Sequence, residues 1–530
     1  MGAGNALVIG AGPNGLVGAN ALADHGWSVT VLEAAERPGG AVKSAELIEP
    51  GYVNDVCSAF YPFGAASPHI AALGLDAYGL RWLHAPYVLA HPALDGSCAV
   101  LSRDRSTTAA SLDGLSPGDG DAWLRLFECF TKVRDPLIGA LLSSFPPVRS
   151  AGALALRLRS VGGLDFVRML LLPVRRFGEE KFGGEAARRL VAANALHADL
   201  GPEATLSGFF GWLLSMLGQD VGFPVPEGGA SSITDALVRR LEARGGRVRC
   251  GARVSNVIVR GGRAVALRLA GGDEVDVGGP VLADVTAPML YTQLLDPHDV
   301  PARVLARIAA FEWDDGTVKV DWNLDGPIPW TAPDARRAGT VHLGESVNAL
   351  SRAATDLACG DVPAEPFLIV GQQSMTDPAR QPPGKETAWA YTHVPHPGRA
   401  NTTLDTAALD ALVERIEQTV ERHAPGFLGL VRGRHVLSPS GFEAENPSLV
   451  GGAINGGSSQ LHQQLVFRPF AGLGRAETPI ANLFLASASA HPGGAVHGAP
   501  GANAARAALV YNRRRRAARR IRSAARLPKV

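Results

Sequence analysis

The sequence predicts an α/β protein in which a parallel sheet, flanked by helices, is assembled from three separated chain segments. Mixed α+β material is inserted between them. Three observations lead there. A strand, a glycine turn, a helix and a second strand open the chain within residues 6–32. The same texture returns within residues 224–300 and again within 470–512. The intervening stretches, 71–223 and 301–469, follow other patterns.

The first unit sets the theme. Residues 6–9 are a short apolar run, as a strand buried on both faces requires. Residues 16–25 are small and Ala-rich, as a helix packed on a sheet would be, and Gly26 suits the position after its end. Residues 28–32 form the next strand, with Glu33 at its tip. Between strand and helix, Gly10, Gly12 and Gly15 spell G-x-G-x-x-G around Pro13 and Asn14. The first glycine permits the tight turn, the second lets backbone approach a pyrophosphate, and the third lets the helix pack on the strand. The free N–H groups of the helix then hold the phosphate charge. Glu33 lies 23 positions after Gly10, near the spacing of a carboxylate that reads an adenosine ribose. In a chain with 62 glycines the motif alone is weak; its place after a strand, with the acid in register, makes it strong. A Rossmann-type dinucleotide-binding domain follows, drawn from residues 1–70, 224–300 and 470–512.

Later segments continue the pattern. Residues 232–244 read as a helix, and 248–250 and 254–260 as strands. Short strands between glycine turns then suggest a meander, before residues 280–285 return to the parallel sheet. The first insertion, 71–223, is dominated by apolar helical patterns. The second, 301–469, mixes strand-like "GTVKVDWNL" and "PFLIVGQQS" with a helix over 406–423. Together they are expected to form a substrate or cap domain. Residues 513–530 are a basic tail.

Composition narrows the function classes. A formal net charge of +1 gives no field of the kind that holds nucleic acid. The five cysteines are scattered and make no C-x-x-C, so neither a disulfide framework nor a metal site is expected, and a cytoplasmic setting fits. No signal peptide is visible, and no run of about 20 apolar residues suggests a membrane span. Residues 154–177 alternate apolar runs with arginines. Two readings stand there: a helix lying at a bilayer interface, and an ordinary amphipathic cap helix, which is favoured. The arginine-rich tail presents the same choice between anionic lipid and solvent. Nothing in the sequence sets an oligomeric state.

"ERPGGAV" follows the ribose acid directly, with Arg37, Gly39, Gly40 and Ala41. A simple NAD dehydrogenase needs no second glycine turn there. Over Gly10 to Gly40 the chain resembles the flavoprotein superfamily of amine oxidases and phytoene desaturases. "PEGGASSITDAL" at 226–237 resembles the segment by which phytoene-desaturase-like proteins re-enter the FAD domain. "LFLASASAHPGGAVHGAPGANAARAAL" at 483–509 resembles their closing FAD motif. In texture the nearest group is the phytoene-dehydrogenase-like one that also contains pyridine nucleotide-disulphide oxidoreductase domain-containing protein 2.

The resemblance implies FAD as cofactor. It places Arg253 and Val254 at the adenine through backbone groups, and His491, Pro492, Gly493, Gly494, His497 and Gly498 in the loop that passes the flavin. In amine-oxidase relatives a lysine on a strand like "TVKVDWNL" reaches the flavin N5 through a water, which makes Lys319 a candidate catalytic residue. A strand lysine facing solvent is the competing reading. His491 is the second catalytic candidate, against a loop histidine that only bonds backbone. His197, Asp199 and Glu203 are weighed as pocket residues and read more simply as a solvated loop. Phe209, Phe210, Trp212 and Leu213 are read as core.

The implied reaction is hydride transfer from an apolar small molecule, isoprenoid or lipid, to flavin, with oxygen or a quinone as electron acceptor. The alternatives carried are a flavin amine oxidase and an FAD-bearing interaction protein without catalysis.

Overall fold

A computed structural model of the chain describes residues 4–401, 404–472 and 474–524, with side chains described as far as residue 518. Its first layer is a five-stranded parallel sheet. The strands run in the order Leu483–Leu485, Val281–Ala283, Asn5–Ile9, Ser28–Leu32, Arg247–Arg249. They come from three distant parts of the chain.

The period-2 alternation of a strand divides their side chains between two cores. Ala6, Val8, Val29, Val31, Leu282 and Phe484 pack against helices Pro13–Asp24, Ser231–Ala243 and Ala499–Ala524. Leu7, Ile9, Leu32, Val281, Ala283 and Leu485 face the other way, onto the antiparallel meander of Val254–Arg260, Arg263–Leu269 and Glu274–Asp276. The first helix starts at Pro13 rather than at residue 16, because a proline is pre-organised for the first helical turn.

The two inserted segments share one seven-stranded sheet. Its order is Val431–Leu437, Gly316–Leu324, Glu386–Val394, Leu368–Gln372, Ala338–Leu343, Tyr87–Pro92, Cys98–Leu101. One face presents Val318, Val320, Trp322, Val341, Val370 and Ala390 to Leu412, Ile416 and Val420 of helix Thr406–His423. The opposite face carries Thr317, Lys319 and Asp321 on one strand, Trp389, Tyr391 and His393 on the next, and Thr340 and His342 further along. This polar face is not solvated. Every residue of Gly316–Leu324 is buried. An alternating strand whose polar side is also covered is the informative case, since charged side chains are almost never fully buried unless paired.

Helices Asp119–Leu142, Glu185–Leu196 and Ser207–Asp220 cover that side, with Trp123, Phe130, Leu190, Leu213 and Leu217 in their shared core. Beyond them, helix Val148–Arg157 has no buried residue at all. The basic tail expected from residue 513 is the continuation of helix Ala499–Ala524, and residues 525–530 lie outside the described residues.

Candidate active site

A cavity of about 420 Å³ runs from the glycine loop of the parallel sheet to the polar face of the seven-stranded sheet. At the first end the chain leaves its strand at Gly10 with φ +92, a conformation that a side chain disfavours. A Cβ at Gly15 would run into the Gly10 carbonyl, so only glycine lets the helix approach this closely. Gly12, Pro13 and Asn14 line the cavity, as do Gly40, Ala41, Arg253 and Val254. Gly39 does not. Its N–H donates to the Ala11 carbonyl at 3.0 Å and so braces the first loop with the second. Arg37, expected beside the cofactor from its place in the second glycine turn, is exposed and stays off the cavity wall.

Glu33 accepts the N–H of Ala11 at 2.6 Å and of Ala35 at 2.9 Å. A carboxylate offers about four acceptor sites, so capacity remains for two hydroxyls of a ribose. Asn14 Oδ1 is buried without a partner. A backbone cradle, a half-used carboxylate and an orphaned amide oxygen together fit a dinucleotide.

Asp284 was missed from sequence. It follows the strand Val281–Ala283 and accepts the Gly15 N–H at 2.8 Å. Burial pushes its carboxyl up to about 7; the Gly15 N–H opposes the rise and the Glu33 charge adds to it. One signal was present in the sequence: an acid directly behind a buried apolar strand.

At the other end Lys319 lines the cavity while only 1% exposed. Its Nζ pairs with Asp321 on the same strand and donates to the Asp55 carbonyl at 2.9 Å. Burial raises the Asp321 carboxyl, and Lys319 offsets part of that rise. Asp55 in turn takes Arg380 at 2.7 Å, the Ala230 N–H at 2.7 Å and the Ser44 hydroxyl at 2.8 Å. One aspartate therefore ties the cavity lysine to two segments of the nucleotide domain. A solvent-facing lysine is excluded.

Trp389 and Tyr391 line the same wall, stacked at 5.8 Å and 23°. The indole lies across Gly371 on the neighbouring strand, where a Cβ would overlap the ring. Lys319 Nζ stands 5.9 Å from the Trp389 ring centroid. The aromatic shelf thus already carries a cation.

The C-terminal loop divides between two chambers. Gly494 lines the main cavity and a side chamber of about 200 Å³. His491, Pro492 and His497 line only the side chamber. His491 is held at the Ser143 carbonyl, 3.1 Å away, and burial pushes it down to about 4. Phe145 meets the His491 ring edge-to-face at 6.3 Å, so the ring is packed on the Ser143–Phe145 segment. His497 accepts the Ala499 N–H at 3.1 Å and is pushed down to about 3, again mainly by burial. Gly493 packs on the Arg468 guanidinium and Gly498 on Val17, so both serve packing rather than the cavity wall.

His197 does enter the site, at the junction of both chambers. Asp199 is buried beside Asn455, and Glu203 pairs with Arg175 in the outer shell of the cap. Phe209 and Phe210 line the side chamber, whereas Trp212 and Leu213 are core as expected.

Comparison with known proteins reaches the same architecture independently. The pattern described as flavin containing amine oxidoreductase matches residues 168–509, more than half of the chain. The chain belongs to that family. A second pattern, NAD(P)-binding Rossmann-like domain, covers residues 8–73. Among curated relatives, pyridine nucleotide-disulfide oxidoreductase domain-containing protein 2 of Mus musculus is 27% identical, across 94% of this chain and 92% of its own. A neurosporene-forming phytoene desaturase of Cereibacter sphaeroides is 26% identical over the same shares. A solved oxidoreductase from Methanosarcina mazei superposes with a TM-score of 0.62 at 16% identity, covering 96% of this chain and 100% of that one. That likeness speaks to the fold. As a member of the flavin containing amine oxidoreductase family the protein is an oxidoreductase enzyme, and the family implies a flavin cofactor, a small-molecule substrate and an electron acceptor.

Proposed function

We propose that the protein is an FAD-dependent dehydrogenase or desaturase that removes hydride from a neutral, largely apolar substrate. The observation that carries this reading is Lys319. It is buried, ion-paired and at the end of the cavity opposite the nucleotide cradle. The cradle residues Gly10, Gly12, Glu33, Gly40 and Val254 would hold the adenosine and pyrophosphate. FAD, when bound, supplies the hydride acceptor. The chain's own part is to bind, orient and exclude water. The Lys319 side chain, ion-paired with Asp321 at that end of the cavity, would stabilise negative charge on a reduced cofactor held there. Trp389, Tyr391 and Ile369 give a dry wall against which a C–H bond can be held.

An alkylammonium substrate is the second reading, since the family description names amines. It would share a low-dielectric cavity with the Lys319 cation, which already occupies the aromatic shelf. The neutral substrate is favoured. Oxygen or a quinone is the proposed electron acceptor.

A cytoplasmic enzyme that touches membranes peripherally fits the surface. Leu156 is 88% and Leu164 84% exposed, among Arg149 and Arg159, on helices without a covering layer. Among the described residues no helix is long and apolar enough to cross a membrane.

The deciding experiment is anaerobic bleaching of the flavin by a panel of extracted lipids and of primary and secondary amines. Bleaching by neutral lipids supports the reading. Bleaching by amines alone replaces it with the second one.

A further inference from the structure

The side chamber is continuous with the main cavity through Phe63, His197, Leu214, Asn455, Gly494 and Ala495, which line both. The rest of its wall is mostly apolar, with Leu142, Leu206, Phe209, Phe210 and Leu461. On one side that wall reaches the protein surface. Leu465 lines the chamber and is 41% exposed, and Phe467 beyond it is 42% exposed. Leu465 is therefore both wall and surface, and marks the mouth of the chamber.

That mouth adjoins the uncovered helices. Gly474 is wedged between the Leu465 carbonyl and Phe145: a Cβ there would stand 3.1 Å from the first and 3.4 Å from the second. Phe145 leads through Pro146 and Pro147 into helix Val148–Arg157, whose first residue is 72% exposed. The far end of the same excursion also returns to the chamber. Past helix Leu164–Leu171, the carbonyls of Leu171 and Leu172 accept the N–H groups of Leu206 and Gly208 at 3.4 and 3.0 Å. Leu206 lines the chamber. Both ends of residues 148–171 are thus tied to the chamber wall.

Between those ends the surface is apolar and of one charge. Helix Leu164–Leu171 buries Phe166 and Met169 and leaves Leu164, Val167 and Leu171 outside, in line with the exposed Val148 and Leu156. Arg149, Arg157 and Arg159 stand among them, and no acidic residue occurs between Val148 and Leu164. On the helix behind, Glu128 and Asp135 are already paired with Lys132 and Arg134. Leucines protruding between arginines fit the interface of an anionic bilayer. There apolar side chains enter the acyl boundary while guanidinium groups stay among the phosphates.

We infer that residues 148–171 seat the protein on an anionic bilayer and that the side chamber opens onto that membrane at Leu465. An apolar substrate then passes from lipid to the main cavity without crossing water, the step that hydrocarbon surface disfavours most. The inference deepens the proposed function and rests on it: peripheral contact becomes an entry route with a stated mouth.

The test uses the full chain with its FAD content measured first. The vesicles are equal parts phosphatidylglycerol and phosphatidylcholine, the latter brominated on its acyl chains. Leu156→Trp and Leu465→Trp should each show lipid quenching of tryptophan fluorescence beyond the wild type's. Leu428→Trp should not, since Leu428 is exposed beyond the opposite face of the seven-stranded sheet. Arg149→Gln/Arg159→Gln should bind these vesicles about 25-fold more weakly, at about fivefold per arginine. Radiolabelled dodecane dissolved in the vesicles should be recovered with the protein. Leu156→Asp/Leu164→Asp, both at exposed positions, should lower that uptake about tenfold and leave uptake from dodecane-saturated buffer unchanged. Four results overturn the inference alone: no excess quenching in Leu465→Trp, equal quenching in Leu428→Trp, binding indifferent to the arginines, or vesicle uptake that survives Leu156→Asp/Leu164→Asp. A chain that takes up no flavin overturns it together with the reading beneath it.

Discussion

The two ends of the cavity are built by different means. The nucleotide cradle is made of backbone: glycines at fixed spacing, helix N–H groups and one carboxylate, nearly all from residues 10–41. The far wall is made of side chains from three strands of one sheet, Gly316–Leu324, Leu368–Gln372 and Glu386–Val394. Lys319 sits opposite Tyr391, and Gly371 opposite Trp389, by sheet register alone. Backbone sites tolerate no added atom. Side-chain sites tolerate change but lose function. Mutations should separate the two.

The largest effect is expected in the cradle. Gly15→Val places atoms on the Gly10 carbonyl and should yield protein without bound flavin, read from the visible absorbance of the purified chain. A yellow, fully loaded variant would break the comparison.

Next comes the far wall. Lys319→Met should keep the flavin but slow its reduction about 100-fold, as loss of one preorganised charge does. It also strands the buried Asp321 carboxylate, at a cost of about 3–5 kcal/mol in stability. The double variant Lys319→Met/Asp321→Leu should recover most of the stability and none of the rate. Recovery of both would make Lys319 merely structural. Gly371→Ala, which displaces the Trp389 indole, should spare flavin content and lower the reduction rate roughly tenfold. Stopped-flow reduction by whichever compound bleaches the wild type measures both.

The smallest effect sharpens the cradle. The folded Asp284 carboxyl is raised to about 7 from an ordinary value near 4. A raised acid contributes stability that is complete below its unfolded value and is lost as pH rises through the folded one. Asp284→Asn removes that loss. Its melting temperature should exceed the wild type's by about 2 °C or more at pH 8 and converge with it near pH 4. A gap independent of pH would show that Asp284 is ionised throughout.

This division also explains what the sequence disclosed. Gly10, Gly12, Gly15 and Glu33 were readable because their chemistry is local: a tight turn and a ribose acid leave a spacing. The three-segment sheet was readable because the returning strands Val281–Ala283 and Leu483–Leu485 are short apolar runs. Lys319 could be suspected as a charge inside an alternating strand. That its polar face is buried depends on helices from another segment, and no periodicity in "TVKVDWNL" carries that. His197 and Phe210 became site residues only when the cap folded over them. His491, Gly493 and Gly498 were placed by resemblance in a loop whose glycines mostly serve packing; Arg468 and Val17, their partners, lie too far along the chain to be paired with them from sequence. Asp284 needed the parallel neighbour of the first strand to be known.

The central claim is that one cavity joins a dinucleotide cradle to a lysine-bearing dry wall. Its most direct test is the small molecule released when the purified full-length protein is denatured, identified and quantified by chromatography. The account predicts FAD at one molecule per chain. A chain that releases none, and stays colourless after incubation with FAD, would contradict it.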